Sequence, residues 1–580
     1  MDRTQATGLV LVFAIIFGYF VFLAPKNEPK PEPAKPATTA APAQPTAALA
    51  ANAPTDSATA AFKAESIILE NPDLLLSIST RGGVIEEAVL KHYKTYQGAP
   101  LHILTQNDNR MSWVLTGAGT RAEIQAQPFT ARKSGNTLEL QSPLATLRYR
   151  LDSAGYALHV DAGLTKGPLA AASLTWQQNL LNTEKDFTQS RAAATTNYLN
   201  VEEDFDKLSE TSDKEDVKPE QPIRWISHKT KFFLASIINR QGGFAKSELQ
   251  SVTVPTDSTV LKTQTTHVEW LPADLAKGSA EMELYLGPND YKILGNVAPE
   301  FQRNVHLGWP VIRWVNKYIV VNVFHFLQKS ISNYGIIIVL LVIFIRILLL
   351  PLGYRSYLSM AKMRVLKPEL DEIKAKHGED MAAIQQEQMK LYNQVGINPL
   401  SGCIPLLLQM PILLAMFNFF PNSIELRQEH LFWAEDLSTW DSIATLPFSL
   451  PGYGSHVSLF TILMTISTLA VTYVNASASA ATGPMASLQY VMPVVFMFIL
   501  NSLPAGLSFY YLVSNLVSMA QQFLIKRTVN DAKIRAKLEE NKVKNATKKP
   551  GKFASRLQEA LRQAEEAKKT QEQLKQKPKK

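Results

Sequence analysis

The sequence predicts a mixed fold: a polytopic α-helical membrane protein with a large antiparallel β-sandwich domain. Three observations lead to this fold class. Several apolar stretches reach the roughly 17 to 25 residues with which a helix crosses a bilayer. Between residues 62 and 303, apolar and polar side chains alternate as they do in half-buried strands. The net charge of +8 on 580 residues comes from a basic tail that begins at Lys526, so the segments of the chain differ strongly in character.

The first 61 residues combine an apolar segment with a linker. Residues 8–24 form an apolar run of membrane length, and residues 25–61 are rich in Pro, Ala and Thr. A cleaved signal peptide is the alternative, but its apolar region would span only about 7 to 15 residues. We therefore expect residues 1–24 to be an uncleaved transmembrane anchor and residues 25–61 to be a linker without a core.

Residues 62–303 are expected to form the β-sandwich. Leu147, Tyr149 and Leu151 alternate with arginines, and glycine pairs such as 82–83 suit the turns between strands. Strands separated by such turns predict a large antiparallel sandwich.

This domain shows no pattern of catalytic residues. We find no nucleophile beside a base and no phosphate-binding loop. The acidic run 202–220 lacks apolar periodicity and reads as a surface loop, although its carboxylates leave a metal site as a weaker alternative. The single cysteine, Cys403, excludes an intrachain disulfide. We predict that the protein is not an enzyme and that it holds no metal.

Residues 304–330 are predicted to form an amphipathic helix that lies in the membrane interface. Helical spacing separates an apolar face from polar side chains: Val311, Val315 and Ile319 on one side, and Arg313, Asn316 and Lys317 away from it. Trp309 and Trp314 are suited to the headgroup zone.

The next apolar segment, residues 331–354, carries Arg346 at membrane depth. An arginine at the centre of a membrane helix costs roughly 2.5 to 3.5 kcal/mol on translocon scales, and such residues usually face a bundle interior or a water-filled cavity. The alternative is a side chain that snorkels to the surface. Arg355 already occupies the interfacial position, so we expect Arg346 to face a polar interior.

Residues 355–398 are predicted to form a soluble helical hairpin. Its first helix places Met363, Leu366, Leu370 and Ile373 at alternating spacings of three and four residues. His377 and Gly378 break the pattern, and a second helix with the same spacing follows. The two helices can therefore pair in antiparallel fashion.

Four further membrane segments are expected, which brings the total to six. They cover residues 399–420, 457–475, 487–503 and 504–526, joined by loops 421–456 and 476–486 and followed by the tail 527–580. Polar groups in such helices need partners, because hydrocarbon offers none. Together with Arg346, the candidates for a polar interior are Gln409, Asn418, Tyr511, Asn515 and Gln521.

The distribution of Lys and Arg predicts the orientation. The hairpin and the start of the tail are rich in these residues, whereas loop 421–456 has only Arg427. Positive residues near membrane segments favour the cytoplasmic side. We expect the hairpin and both termini in the cytoplasm and the sandwich across the membrane.

Four motifs occur in order: NYGIIIVLLVIFIRILLLPL, SYLSMAKMRVLKPEL, NPLSGCIPLLLQMPI and LPAGLSFYYLVSNLVSMAQQFLI. From about residue 309 to 527 the chain thereby resembles the YidC/Oxa/Alb family of membrane protein insertases. The sandwich and first segment resemble the long form of bacteria with two membranes, which implies an inner membrane and a periplasmic domain.

The resemblance implies how the core works. It implies a five-helix core whose polar groove, open to cytoplasm and lipid, contains Arg346, with a mobile cytoplasmic hairpin beside it. It also implies that clients slide along the third and fifth segments, where the candidate contacts are Ile404, Met410, Met416, Met492 and Phe496.

The expected function is insertion and folding of newly made inner-membrane proteins, alone or with the Sec translocon. No cofactor is required. The expected partners are nascent hydrophobic proteins, Sec components, membrane lipids and the ribosome. Basic clusters in the tail favour the last of these, with candidate contacts at Lys542, Lys544, Lys548 and Lys549. The alternative function is a small-solute transporter or anion channel that uses Arg346 as its binding charge.

Overall fold

The computed structural model describes residues 62–117, 119–255, 257–378, 380–397, 404–450, 452–476 and 484–545. The predicted anchor and linker, Cys403, Lys548 and Lys549 lie outside these residues. The described chain forms two compact units. The sandwich unit contains the described residues up to Leu307 together with Asn422–Gln428, and the helical unit contains Gly308–Pro421 and the residues from Glu429 onward.

The sandwich unit is built mainly from strands, because its side chains alternate between buried and exposed positions. Its strands are β1 (Ser66–Glu70), β2 (Leu74–Ser79), β3 (Ile85–Lys94), β4 (Pro100–Leu104), β5 (Asn109–Gly117), β6 (Thr120–Glu123), β7 (Thr130–Ser134), β8 (Thr137–Gln141), β9 (Ala145–Leu151), β10 (Ala157–Leu164), β11 (Leu169–Leu181), β12 (Thr195–Asn200), β13 (Phe205–Lys207), β14 (Lys214–Val217), β15 (Ile223–Lys229), β16 (Phe233–Ile238), β17 (Phe244–Val252), β18 (Val260–Trp270) and β19 (Ser279–Pro288). Two short helices accompany them, α1 (Phe187–Ala193) and α2 (Tyr291–Leu294). Single 3-10 turns cover Ile124–Ala126, Asp274–Lys277, Phe301–Asn304 and Ile424–Leu426.

The strands form two antiparallel sheets. The smaller sheet has the order β1-β2-β3-β4, and the 15-stranded sheet follows the path β6-β5-β11-β18-β17-β15-β16-β19-β10-β9-β8-β7 with β12, β13 and β14 attached beside it. Between β10 and β19, Leu158 pairs with Leu284 and Val160 with Met282, and all four side chains are buried. The prediction of an antiparallel sandwich is therefore confirmed.

The acidic run 202–220 differs from the predicted loop. It contains β13, which pairs with β12, and β14, which pairs with β17. Charged side chains on β14 remain largely exposed. Edge strands tolerate such charges, which discourage pairing with other chains, so the absence of apolar periodicity did not exclude strands here.

The helical unit contains eleven described α-helices and one β-hairpin. Its helices are α3 (Pro310–Val315), α4 (Val321–Gln328), α5 (Tyr334–Leu348), α6 (Leu350–Val365), α7 (Lys367–His377), α8 (Met381–Val395), α9 (Ile404–Asn422), α10 (Leu459–Ala476), α11 (Pro484–Leu500), α12 (Ala505–Thr528) and α13 (Asp531–Asn545). A π-helical turn, Asn316–Val320, joins α3 to α4, and the hairpin consists of β20 (Ala444–Leu450) and β21 (Gly454–Val457).

Two residues depart from the predicted faces of the interfacial stretch. Val311 is 67% exposed, whereas Asn316 is fully buried and donates a hydrogen bond from Nδ2 to the Ala415 carbonyl at 3.0 Å. Neither residue lies beyond the π-helical turn, so their exposure follows from which side of the helix has neighbours: Asn316 faces α9, which supplies the Ala415 carbonyl. Trp309 and Trp314 are exposed, as expected of side chains that contact headgroups.

The Arg346 segment is two helices rather than one helix over residues 331–354. Helices α5 and α6 meet at a 64° bend, and Pro351 lies in the first turn of α6. Proline lacks an N–H and clashes with the preceding turn, so a straight helix cannot continue through it. No single described helix is long and apolar enough to cross a membrane, but α5 and α6 together meet the length and composition required.

Helices α7 and α8 form the predicted hairpin, with the break at Gly378, whose φ is +57°. Leu366 and Leu370 pack with Leu391 and Val395 in one apolar cluster. The cluster also contains Leu538 of α13, which is 3% exposed. The first helix of the basic tail therefore packs on the hairpin.

Candidate functional site

Five helices of the helical unit surround a cavity of about 500 Å³, which we call the inner cavity. Helices α5, α6, α9, α10 and α12 all contribute to its lining. Although these helices are apolar overall, much of the lining is polar: Arg346, Ser356, Gln409, Thr468, Asn475, Tyr511, Ser514, Asn515, Ser518, Gln521 and Gln522.

Arg346 is the one charged residue of this lining. It lies near the C-terminal end of α5, and its Nη2 donates to the Ser514 hydroxyl at 2.7 Å and to the Ser514 carbonyl at 3.2 Å. These partners are neutral, and no ion pair to Arg346 occurs within the described ranges. A guanidinium has five N–H donors, so a polar guest could still receive hydrogen bonds from it.

Asn515 fixes α12 against α10 on another side of the cavity. Its Nδ2 donates to Ser467 Oγ at 3.0 Å and to Thr468 Oγ1 at 2.8 Å. The Thr468 hydroxyl in turn donates to the Met464 carbonyl of its own helix. The hydrogen bonds on this side of the cavity therefore join neutral groups, whereas those on the Arg346 side have a charged donor.

The structure brings together five of the six predicted groove residues, since Arg346, Gln409, Tyr511, Asn515 and Gln521 all line the inner cavity. Asn418 is not among the lining residues. Its Nδ2 donates to the Leu414 carbonyl one turn earlier in α9, at 2.7 Å. The short amide side chain of asparagine can thus satisfy a donor on its own helix without facing a polar interior.

The predicted sliding contacts divide between the surface and the core. Met410 is 38% exposed and Phe496 is 47% exposed, and Met492 is partly exposed. Met416, however, is fully buried. It lies six positions after Met410, which at about 100° per residue places it roughly 120° away around the helix, on a different face. The side chain of Ile404, at the start of α9, lies outside the described part of the chain.

The remaining predicted positions lie in the hairpin and tail. Met363 and Ile373 border the hairpin cluster that contains Leu366 and Leu370. Lys542 and Lys544 are exposed on the last turn of α13, where Lys544 forms an ion pair with Glu540.

Sequence reasoning missed Ser514, the hydrogen-bond partner of Arg346. A serine hydroxyl often bonds to the backbone of its own helix, so the residue type alone does not indicate a polar interior. A signal was present, because Tyr511, Ser514, Ser518 and Gln521 follow one another at spacings of three and four residues and therefore share one face of α12.

A cationic side chain among polar groups, inside a bundle of apolar helices, defines a membrane protein with a polar interior. Two family models match the chain: "60Kd inner membrane protein" over residues 326–533 and "YidC periplasmic domain" over residues 66–321. The chain belongs to the YidC family of membrane protein insertases. It is accordingly an inner-membrane protein with a periplasmic domain.

Relatives match along the whole chain. The membrane protein insertase YidC of Amoebophilus asiaticus is 41% identical, with 97% of this chain and 98% of the relative covered. That of Cytophaga hutchinsonii is also 41% identical, with both chains covered completely. Among solved structures, an active YidC insertase with its first transmembrane domain resolved matches with a TM-score of 0.34 and 18% identity, over 78% of this chain and 91% of that chain.

Proposed function

We propose that this protein inserts newly made membrane proteins by accepting a polar client segment in the inner cavity while the adjoining apolar segment enters lipid. The observation that supports this most is Arg346, a cation whose partners among the described residues are neutral and which lies in a polar cavity between apolar helices. A cation without a carboxylate partner is available to acidic or carbonyl-rich guests.

Electrostatics and lipid partition have separate roles in this proposal. The polar lining replaces part of the water that a hydrophilic segment loses when it enters the bilayer, which lowers the barrier to crossing. Burial of the client's apolar segment supplies the driving force, at roughly 25 cal/mol per Å² of apolar surface removed from water. No catalytic residue, cofactor or metal has a role in these steps.

The proposed topology has six membrane spans, five of which form the core, with both termini and the hairpin in the cytoplasm. Apolar helices α5, α9, α10, α11 and α12 supply the core, and the anchor predicted within residues 1–24 supplies the first span. Lys and Arg concentrated in the hairpin and in the tail support this orientation. The proposed partners are nascent membrane proteins, the ribosome at the tail and the Sec translocon.

Reconstituted liposomes test this function. We expect the purified protein to insert a short single-span client without an energy source. Arg346→Ala should slow insertion, most for clients with acidic translocated segments, and Arg346→Lys should keep part of the rate because the charge remains without the planar fork.

Arg355→Ala, which removes an exposed arginine outside the cavity lining, is the control. Unchanged insertion of acidic clients by Arg346→Ala would contradict the proposal, and flux of small anions would favour a channel instead.

A further inference from the structure

A second cavity of about 690 Å³, the outer cavity, adjoins the inner cavity of the helical unit. Four lining residues are common to both: Tyr357, Met360, Asn475 and Gln522. The two cavities therefore share part of their walls. A client segment bound in the outer cavity would lie next to the one that Arg346 receives.

The outer cavity has two cations and no acid in its lining. Arg364 of α6 and Lys526 of α12 contribute the positive charge. Tyr473 and Tyr490 contribute aromatic surface, and Met519 contributes a flexible apolar side chain. This composition fits a segment that carries carboxylates beside apolar residues.

Arg364 already forms an ion pair with a carboxylate of the same chain. Nη2 of Arg364 lies 2.8 Å and 3.0 Å from the two carboxylate oxygens of Asp531, the first residue of α13. The Arg364 side chain is 26% exposed and that of Asp531 is 55% exposed. An ion pair this open to solvent is weak and exchanges readily.

Asp531 is not required to cap its own helix. That role belongs to Asn530, whose Oδ1 accepts hydrogen bonds from the backbone N–H groups of Ala532 at 3.0 Å and Lys533 at 3.2 Å. The Asp531 carboxylate is directed to Arg364 instead.

Helix α13 has other contacts that can hold it while Asp531 leaves Arg364. Leu538 is buried in the hairpin cluster, Arg535 pairs with Glu369 at 3.5 Å, and Asn541 Nδ2 donates to the Val395 carbonyl at 3.3 Å. Exchange at Arg364 therefore does not require the tail helix to leave the hairpin.

We propose that the outer cavity binds an acidic segment of the client before insertion, and that Asp531 is the internal carboxylate that occupies Arg364 until a client displaces it. This inference rests on the proposed insertase function and names an entry site for it. Entry then exchanges one carboxylate for another on the same guanidinium, so Arg364 keeps an acidic partner while Asp531, which is 55% exposed, is released to solvent.

The test compares two synthetic single-span peptides bound to the full chain in nanodiscs. One carries Asp and Glu in its hydrophilic segment, the other carries Asn and Gln, and both carry a photoreactive residue beside that segment. Crosslink yield against peptide concentration gives an apparent Kd. We expect Asp531→Asn to tighten binding of the acidic peptide roughly two- to fivefold, in keeping with the strength of an exposed ion pair, and to leave the neutral peptide unchanged.

Further variants distinguish the loss of this binding site from a general destabilisation of the protein. Arg364→Gln should remove the preference for the acidic peptide while neutral binding persists, and Lys526→Gln should reduce that preference in part. Arg535→Gln breaks the other ion pair between α13 and the hairpin but does not alter the lining, so it should behave as wild type. The preference should also shrink as salt is raised.

Two results would overturn the inference. One is an unchanged acidic Kd in Asp531→Asn, and the other is an equal change for both peptides in Asp531→Asn or Arg364→Gln. Protease protection of the neutral peptide in liposomes is measured in parallel. Failure of the wild-type protein to insert that peptide would contradict the proposed function itself, whereas normal insertion without acidic preference would contradict only the entry site.

Discussion

His228 is a buried imidazole in β15 of the sandwich. Its ring stacks on Trp176 with 4.1 Å between the centroids. Nδ1 lies 3.0 Å from Gln178 Oε1 and Nε2 lies 2.8 Å from Thr266 Oγ1. Burial without a carboxylate among these partners disfavours the charged form and lowers the pKa of His228 to about 3.

This burial predicts acid sensitivity of the sandwich. In the unfolded chain the imidazole takes a proton below a pKa of about 6.5, whereas the folded state stays neutral down to about pH 3. The unfolded state binds more protons in that window, so His228 should remove stability as the pH falls from about 6.5 toward 3, by up to roughly 1.4 kcal/mol per pH unit. Hydrogen exchange of β15 in the full-length protein, corrected for intrinsic rates, measures this slope.

The matched variant is His228→Gln, which should be less stable near neutral pH but lose this part of the slope. His92→Gln, at a histidine whose side chain is 60% exposed, should keep it. An identical pH slope in His228→Gln and wild type would show that other groups cause the acid sensitivity.

Single residues could be predicted from the sequence where their type is energetically costly in the segment that contains them. Arg346 was identifiable because a charge in an apolar helix is costly, and the structure places it in a polar cavity. Asn418 and Met416 were misplaced because residue type alone does not specify direction. Their placement depends on which face of α9 packs inward, and this is decided by neighbouring helices.

A carboxylate from the preceding loop accepts hydrogen bonds from the N-terminus of helix α10. Asp441 is 3% exposed, and its Oδ2 accepts from the backbone N–H groups of Leu459 at 2.9 Å and Phe460 at 3.1 Å. The same Oδ2 accepts from Trp433 Nε1 at 2.8 Å, and Oδ1 accepts from the Ser458 hydroxyl. One side chain thus satisfies the helix N-terminus and ties it to the preceding loop.

Asp441→Ala should therefore destabilise the helical unit by about 2 to 4 kcal/mol, because buried donors lose a charged acceptor. Asp441→Asn should cost less, since an amide oxygen still accepts but carries no charge. Thermal unfolding of the detergent-solubilised protein measures the shift. Glu435→Ala, at an exposed acid of the same loop, is the control. Equal melting temperatures for Asp441→Ala and that control would exclude an anchoring role.

Elements with a regular period were predictable, and elements set by contacts were not. The alternating strands and the break at Gly378 followed from local sequence. The π-helical turn Asn316–Val320 has no local signature, and the contact of Asn316 with the Ala415 carbonyl is not encoded in the periodicity of its own helix. Helix α13 was read as polar tail, although Ile534 and Leu538 are spaced by four residues and supply just enough apolar surface to dock on an existing cluster.

Contacts between residues far apart in sequence were the least predictable feature of the whole molecule. Arg427 was read only as a charge that marks topology, but it lies in the sandwich unit, where its Nε is 3.0 Å and 2.9 Å from the two oxygens of Glu184. Both side chains are nearly inaccessible, at 2% and 9% exposure. A pair separated by 243 positions leaves no periodic signal in a single sequence.

The packing of α13 also determines how the tail must be tested for ribosome binding. Lys542 and Lys544 remain on α13, whereas Lys548, Lys549 and the later basic clusters follow it. Truncation directly after α12 would remove the helix that packs on the hairpin along with the charges. Truncation after Asn545 removes only the later charges, so it separates electrostatic binding from damage to the hairpin.

With this truncation, we expect weaker binding to translating ribosomes and a flatter dependence of affinity on salt. Each phosphate neutralised by a lysine or arginine contributes roughly 0.7 to 0.9 to the slope of log affinity against log salt concentration, so lost contacts lower the slope as well as the affinity. Insertion of a client delivered after translation should stay the same, because the cavity lining is intact. Binding of full-length and truncated protein is compared in the same nanodiscs over a salt series.

A control that replaces the residues after Asn545 with an uncharged segment of equal length should resemble the truncation, since charge and not length determines the contact. Equal affinity and equal salt slope for the full-length and truncated proteins would show that the lysines after Asn545 do not bind ribosomal RNA.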